Sequence, residues 1–584
     1  MILILTSLLI LQDRLPDRPL SGSAAKCGSE IPWLEDLEEA KRASKQSGKP
    51  ILWWVTSVSG SPMDRKLVLQ KYMLAGPWMM PDVVEILRRR FVPLRMASKD
   101  TLDVRPMKFI EPGFVVLDSQ LHDLLRVDRM TFFQEDHFRN LLLQTLKTPM
   151  KPTDAEELFL GGDYEEALKR SPSPSLRARI LRRLGREFRM EDLPLEERAT
   201  AHLSRGDFAA ADQELREATS DQGRYLRGAA LHLSGKDDLG RELWEELVKE
   251  KPDSRWAWKA AAELARDGPF VRGFEVFAPP PKTIEIAHAL GYLLSMQRGH
   301  GGWDDSNYNF GGEDSLPNVY VATTALIASA LYEYRDADLR ISTALERADG
   351  YLRDESHVAA DDEDEIVWAY AYRLLYFAKI GDRKWMQLMI DSLAKMQASN
   401  GSFRHEYPNP FVTATVLHVL WEAKKAGAEV SDSMIRRAVD ALQSCRNRSG
   451  VFSYKYPGRS AQIEGGAGRM PLCELGLFLW NAGTREALCT SVEASFKYHD
   501  LLEAVRKYDD HSDAYRNGGF FFWYDVHARA EAIAHLKDKG AAEKLRKMIL
   551  NIVEPDGAWV DSHELGRPYG TAMALLSLKR LSPR

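Results

Sequence analysis

Cysteine is scarce in this chain of 584 residues: Cys27, Cys445, Cys473 and Cys489 are the only four. None stands in a C-x-x-C pair and their spacing fits no zinc ligand set, which excludes a dense disulfide framework and a thiolate zinc cluster. A single bridge among the last three stays open. Basic runs are also missing. Lys and Arg number 79 against 85 Asp and Glu, a formal net charge of -6, which argues against a nucleic-acid partner. No apolar run reaches the ~20 residues that span a bilayer as a helix. H-E-x-x-H, the Walker A loop and G-x-S-x-G are all absent, so three common catalytic templates are excluded.

The remainder is ordinary for a globular protein, with 44% hydrophobic and 28% charged residues. At ~100–200 residues per domain, the length implies about three or four domains. The chain opens on the apolar run "MILILTSLLILQ". This suits a signal-peptide core, and "SGSAAK" supplies small residues for cleavage, so residues 1–25 read as a signal peptide. Export to the periplasm or cell envelope is favoured over a cytoplasmic location. Against it stand the lack of Lys or Arg before the run and the charges of "QDRLPDRP". Lys26, where a small residue is needed, argues against lipid attachment at Cys27.

Residues 33–150 follow an α/β order. "WLEDLEEAKRASKQSGKP" predicts a helix ended by Gly48 and Pro50, and "ILWWV" a buried strand. "MPDVVEILRRRF" predicts a second helix, "FVPLRM" and "GFVVLD" two strands, and "QEDHFRNLLLQTL" a closing helix. In "AKRASKQSGKPILWWV", "FVPLRM" and "IEPGFVVLD" the sequence resembles the thioredoxin-like family. The resemblance implies that Pro112 matches the family's proline facing the active site. It departs at "TSVSGSPMDRK", where the redox cysteines would stand: Ser57, Ser59 and Ser61 offer no thiolate. The domain therefore reads as redox-inactive, with packing favoured over peptide binding near Pro112.

Residues 152–268 are rich in Ala, Leu, Arg and Glu. "LFLGGDYEEALKR", "HLSRGDFAAADQELREA" and "HLSGKDDLGRELWEELVKEKPD" each join two helices through a Gly- and Asp-containing turn. These segments resemble tetratricopeptide repeats, irregularly spaced about the ~34-residue period. Such stacks serve either as a spacer or as a concave face for a protein or peptide partner. "FAPPPKT" at 277–283 is a stiff linker.

From 283 to 582 a Gly-x-aromatic element recurs: Gly301–Trp303, Gly401–Phe403, Gly450–Phe452, Gly518–Phe520 and Gly557–Trp559. Gln297 and Gln397 stand six residues ahead of the aromatic in the first two copies. Each element follows one helix and precedes a more apolar one; one further pair without the turn, "TALERADGYLR" and "EIVWAYAYRLLYF", brings the total to six helix pairs. Glycine ends the helix at positive φ, the aromatic packs over the helix ends, and the glutamine bonds helix-terminal groups. Gln297, Gly301, Trp303, Gln397, Gly401, Phe403, Gly450, Phe452, Gly557 and Trp559 therefore read as structural staples of a closed all-α (α/α)6 toroid. Here the sequence resembles the terpenoid-cyclase and protein-prenyltransferase superfamily, whose squalene–hopene branch carries repeated Q…GxW turns.

The catalytic residues implied by that resemblance match poorly. The Asp-x-Asp-Asp acid of class II cyclases has its nearest counterpart at Asp362-Glu363-Asp364-Glu365, where Glu365 replaces the last aspartate; a helix start is the favoured account of the segment. Registered on the prenyltransferase zinc site, Glu474, Gly476 and Gly570 fall where Asp, Cys and His would stand, and no metal is expected. Cys473 reads as a small buried apolar residue. His511 and His563 are weak metal candidates. Asp304, Asp305, Asp362, Asp364 and Glu406 remain the candidate acids, and His300, Trp368, Tyr407, Trp523 and His527 the candidate ligand contacts.

Three functions follow: a non-catalytic binding or scaffold protein without cofactor, favoured; a terpenoid cyclase or prenyltransferase-like enzyme with altered residues; and a carbohydrate-active (α/α)6 enzyme. A cyclase requires a closed aromatic cavity with one buried acid. A glycan enzyme requires an open cleft with two carboxylates ~5–10 Å apart. The toroid's ligand would be a small apolar molecule or a glycan.

Overall fold

The computed structural model describes residues 19–58, 68–98, 113–127, 138–139, 142–143, 145–146, 155–184, 186–204, 207–265, 286–303, 316–338, 340–455, 462–506, 514–553, 558–562 and 565–582. The chain divides into two compact units, residues 1–283 with 310–313, and the remainder from 284 onward.

The first unit opens on a single 3-10 stretch, Gly22–Lys26, packed on the helix Arg255–Leu264. Cys27 Sγ donates to the Trp258 carbonyl at 3.4 Å, and Arg255 pairs with Glu30 at 2.5 Å. Residues 22–25 of the span read as a leader lie in this stretch. Burial pushes the Cys27 thiol up to about 12. All four cysteines are free, so the bridge left open among the last three is not formed.

A four-stranded sheet follows, in the order β2-β1-β3-β4, from β1 (Ile51–Val58), β2 (Val92–Ser98), β3 (Gly113–Leu117) and β4 (Asp123–Val127). β1 runs parallel to β2 and antiparallel to β3. "ILWWV" is apolar throughout because both sheet faces are covered. Ile51, Trp53 and Val55 face a core with Ala40 and Leu94, while Trp54 joins Trp33 and Trp78 in an aromatic cluster. The flanking helices are α1 (Leu37–Ser47), α2 (Val68–Ala75) and α3 (Pro81–Arg90). Asp36 caps α1 through Glu39 N at 2.7 Å, and Gly48 ends it at φ 71°. Pro112, Ser59 and Ser61 lie outside the described residues, as does most of the expected closing helix.

Among the described residues eight α-helices carry the rest of this unit: α4 (Ala155–Leu160), α5 (Tyr164–Lys169), α6 (Pro174–Arg183), α7 (Leu195–Ser204), α8 (Phe208–Glu214), α9 (Asp221–Leu233), α10 (Asp237–Glu250) and α11 (Arg255–Leu264). Asp163 and Asp207 cap α5 and α8, which explains the Gly- and Asp-containing turns. In α9 Gly228 lets the Trp244 indole of α10 approach within 2.3 Å of where a Cβ would stand.

The second unit is a closed ring. Its outer helices are α12 (Ile286–Met296), α14 (Arg340–Arg353), α16 (Arg383–Met396), α18 (Asp432–Ser444), α20 (Arg485–Lys497, extended by α21, His499–Val505) and α23 (Lys539–Asn551). Alternating with them are the inner helices α13 (Pro317–Glu333), α15 (Ile366–Ile380), α17 (Pro410–Lys425), α19 (Met470–Leu479), α22 (Phe522–Leu536) and α24 (Gly566–Arg580). Each inner helix packs on the next, and α24 packs back on α13. Tyr334 Oη donates to the Leu575 carbonyl at 3.1 Å across that seam. Outer helices bury one stripe, as in Ile341, Ala344, Ala348 and Tyr351 of α14, while inner helices are buried on nearly every side.

Residues of the repeated turns bond to neighbouring helices. Gln297 Nε2 donates to Gly301 O at 2.9 Å and to Ala344 O of the next outer helix at 2.8 Å. Gln397 repeats this with Gly401 O and Met434 O, both at 2.9 Å. The backbone N–H groups of Trp303, Phe403 and Trp559 donate to Thr324, Thr413 and Thr571 of inner helices. Gly301, Gly401 and Gly450 all have positive φ. Phe452 is buried without a matching glutamine bond, and Gly557 lies outside the described residues.

Candidate functional site: an aromatic chamber on the ring axis

A chamber of about 110 Å³ opens where the inner helices begin. Its walls come from equivalent depths on successive helices. α13 supplies Val319, Ala322, Thr323 and Leu326, α15 supplies Trp368 and Tyr372, and α17 supplies Phe411. α22 and the turn before it add Phe520, Phe521 and Tyr524, Leu565 and Tyr569 come from the start of α24, and Tyr454 leans in from a loop. The aromatic rings interlock: Trp368 stacks on Tyr372 at 5.9 Å, and Phe411 meets Tyr454 at 5.3 Å and Phe521 at 5.8 Å. Burial raises the phenols of Tyr372, Tyr524 and Tyr569 well above the ordinary value, so these hydroxyls stay protonated.

Among the described residues Glu365 is the one carboxylate on that wall. It occupies the N-cap position of α15, yet its side chain caps no backbone N–H and it is 3% exposed. His405 Nδ1 stands 3.3 Å from Glu365 Oε2 and 3.2 Å from the Asp364 carbonyl. A tight two-residue ladder, β5 (Arg404–His405) with β6 (Tyr407–Pro408), presents that histidine, and Glu406 turns the corner at φ 58°. Burial raises the Glu365 carboxyl, and the hydrogen bond and charge of His405 only partly offset this. For His405 burial works downward, but the bond to Glu365 and its charge prevail, so the imidazole is raised.

The other anticipated acids sit elsewhere. Asp362 is half-buried at the approach to α15, where Asn318 Nδ2 donates to its carbonyl at 3.3 Å and its carboxylate at 3.2 Å. Asp364 and Glu406 are exposed and line no part of the chamber. The start of α15 turns Glu365 inward and leaves Asp362 and Asp364 outside the chamber, and Glu406 stands exposed at the β5–β6 corner. Asp304, Asp305, His511 and His563 lie outside the described residues.

Of the anticipated ligand contacts, Trp368 lines the chamber and His527 a smaller cavity beneath it. Trp523 is a core residue, fully buried, its indole N–H bonded to Val560 O at 2.8 Å. Tyr407 packs beside Tyr454 behind the wall, and His300 is an exposed ring beside Tyr320 and Tyr351. Cys473 is fully buried with its thiol pushed far up, and Glu474 pairs with Arg446 at 2.7 Å. Among the described residues no group of three His, Cys, Asp or Glu side chains is spaced to hold a metal ion.

Sequence reasoning missed Glu365, His405 and most of the aromatic wall. The available signal was aromatic spacing in the first turns of inner helices: Trp368 with Tyr372, Phe521 with Tyr524, and Phe411 at the start of α17.

No family model matches the chain, and no curated protein matches it. Several solved structures are similar at low identity. One is a substituted form of the type II terpene cyclase MstE from Scytonema, in complex with its substrate geranylgeranyl dihydroxybenzoate. It is 15% identical, with a TM-score of 0.36, over 51% of this chain and 96% of that one. Another is a possible member of the GH105 family from Klebsiella pneumoniae, 14% identical with a TM-score of 0.33, over 50% of this chain and 91% of that one. A third is a possible GH105 member from Salmonella enterica, 12% identical with a TM-score of 0.34, over 50% of this chain and 92% of that one. No helix among the described residues is long and apolar enough to cross a membrane.

Proposed function

We propose that the ring binds a small apolar molecule in its axial chamber and that Glu365, paired with His405, protonates it. The observation that carries this reading is a buried carboxyl, the one among the described lining residues, facing an aromatic wall. A cyclase-type enzyme requires an aromatic cavity with a buried acid, and Glu365 beside the aromatic wall supports that reading. We therefore prefer the enzymatic alternative with altered acids to the non-catalytic scaffold. Paired carboxylates, which the glycan reading requires, are not found among the described residues of the chamber wall.

In the proposed step, the π electrons of an alkene form a C–H bond to the Glu365 proton, leaving a carboxylate and a carbocation. His405 stabilises that carboxylate by hydrogen bond and charge. Aromatic faces stabilise the cation through their quadrupoles, and an apolar wall keeps water from quenching it. His405 can then return a proton to Glu365.

The test is incubation of the full chain with a panel of linear isoprenoid alkenes and their diphosphates, with products followed by mass spectrometry. Glu365→Gln is expected to lower turnover about 10²–10⁴-fold, as loss of a general acid does, while binding stays within a few-fold. Turnover unchanged in that variant, or saturable binding of probes with no conversion at all, contradicts the acid role. For the first unit we retain two proposals on resemblance alone: a redox-inactive thioredoxin-like domain, and helical repeats that contact a protein or peptide partner.

A further inference from the structure

Beneath the chamber, toward the C-terminal ends of the inner helices, lies a second cavity of about 30 Å³. Leu326, Tyr372 and Tyr524 line both cavities and form the septum between them. Unlike the chamber, the lower compartment is polar on one side, where α17 contributes Thr415 and His418 and α22 contributes His527 and Glu531. Glu531 is 3% exposed and His418 7%.

Glu531 Oε1 accepts from Arg580 Nε at 2.7 Å. Its other oxygen, Oε2, has no hydrogen-bond partner among the described residues, and neither has His418 Nε2. These two atoms face each other at 4.0 Å. That is too long for a direct hydrogen bond, but one water can bridge it, and the cavity exceeds the ~10–15 Å³ that a single water requires. Thr415 Oγ1 and Tyr524 Oη lie 2.6 Å apart, linking the septum to this compartment. The Phe411 carbonyl accepts from Tyr524 at 3.1 Å or from Thr415 at 3.0 Å. Either hydroxyl can therefore be the donor in their shared bond, and the direction of donation can reverse.

We propose that the lower compartment holds a water bridging Glu531 and His418, and that it is the proton-accepting end of the site, reached through Tyr524 and Thr415. This rests on the acid reading of the chamber. As the cation resolves, a neighbouring C–H bond breaks and its electron pair becomes the new C=C. The proton passes to Tyr524 Oη as that hydroxyl's own proton moves to Thr415. Thr415 passes its proton to the water, and the water passes one to His418 Nε2. The cationic charge thus ends as an imidazolium beside the Glu531 carboxylate. Other groups facing the pair are Arg580, itself bonded to Glu422 at 3.3 Å, His527 at 3.7 Å from Glu531, and, at longer range, His535 and Lys379. Arg580 already occupies Glu531, which favours water over a metal ion here.

Two measurements on the full chain test this. A high-resolution crystal structure is expected to show one water within hydrogen-bond distance of both Glu531 Oε2 and His418 Nε2; a dry compartment overturns the proposal whether or not the chamber is catalytic. With a converted probe, Thr415→Val is expected to lower kcat 10-fold or more at unchanged KM and to shift products from alkenes toward water-quenched alcohols. Thr415→Ser should restore both. His418→Gln is expected to lower kcat in the same way. Conversion that depends on Glu365 but keeps its kcat and its alkene-to-alcohol ratio in these variants overturns the relay and leaves the acid reading standing. Loss of conversion in Glu365→Gln alone bears only on the acid.

Discussion

Gly301 and Gly401 show why single positions matter in this ring. Both have positive φ, and a Cβ at either would lie 2.2 Å from the carbonyl oxygen of Arg347 or Arg437 on the next outer helix. Alanine at either should cost about 3 kcal/mol, combining left-handed strain with a clash against backbone. Gly450 has positive φ but its nearest neighbour is Met470 Cε at 4.0 Å, so Gly450→Ala should cost only about 1 kcal/mol; thermal denaturation of the three variants compares them directly. His527 gives a pH prediction. Burial holds it down at about 4, against 6.5 for the free side chain. Between those values the unfolded chain binds the extra proton, so His527 contributes stability above pH 6.5 that is lost as the pH falls toward 4. His527→Gln should flatten that loss by up to about 3 kcal/mol, seen as a smaller drop in Tm between pH 7 and pH 4.5. At this scale the glycines were readable from sequence, because a turn that needs positive φ leaves a glycine behind. Glu365 was not: the same four acidic residues can cap a helix or face a cavity, and only the direction of the side chain separates the two.

Glutamine makes the staple an element rather than a turn. Gln297 and Gln397 each tie a turn to the backbone of the following outer helix through two hydrogen bonds. Leucine at either position strands buried carbonyls and should cost about 2–3 kcal/mol. Gln443 is exposed and makes one bond, to Ala482 O at 3.1 Å; Gln443→Leu should be nearly neutral, a contrast that chemical denaturation resolves. The repetition of glutamine, glycine and aromatic ring made the helix pairs legible, since each copy solves the same local problem of ending an outer helix. The β5–β6 ladder that presents His405 had no such signal: it occurs once, and its two strands are two residues each.

Across the whole molecule, closure assembles the chamber. Walls from α13, α15, α17, α22 and α24 meet only because α24 returns to α13, so no local pattern brings Trp368, Tyr524 and Tyr569 together. An open stack of repeats would shed stability in increments as pairs are removed. A closed ring buries its last faces only when complete, so truncation after residue 538, which removes α23 and α24, should abolish the ring's cooperative melting transition rather than shorten it. Survival of a sharp transition with proportionally reduced ellipticity would indicate an open stack. The direct test of the central claim is conversion of an isoprenoid alkene in D2O. If Glu365 protonates the ligand, the product carries one deuterium at a carbon of the original double bond, and Glu365→Gln removes both product and label. Product without deuterium, or labelled product formed equally well by Glu365→Gln, would contradict the account.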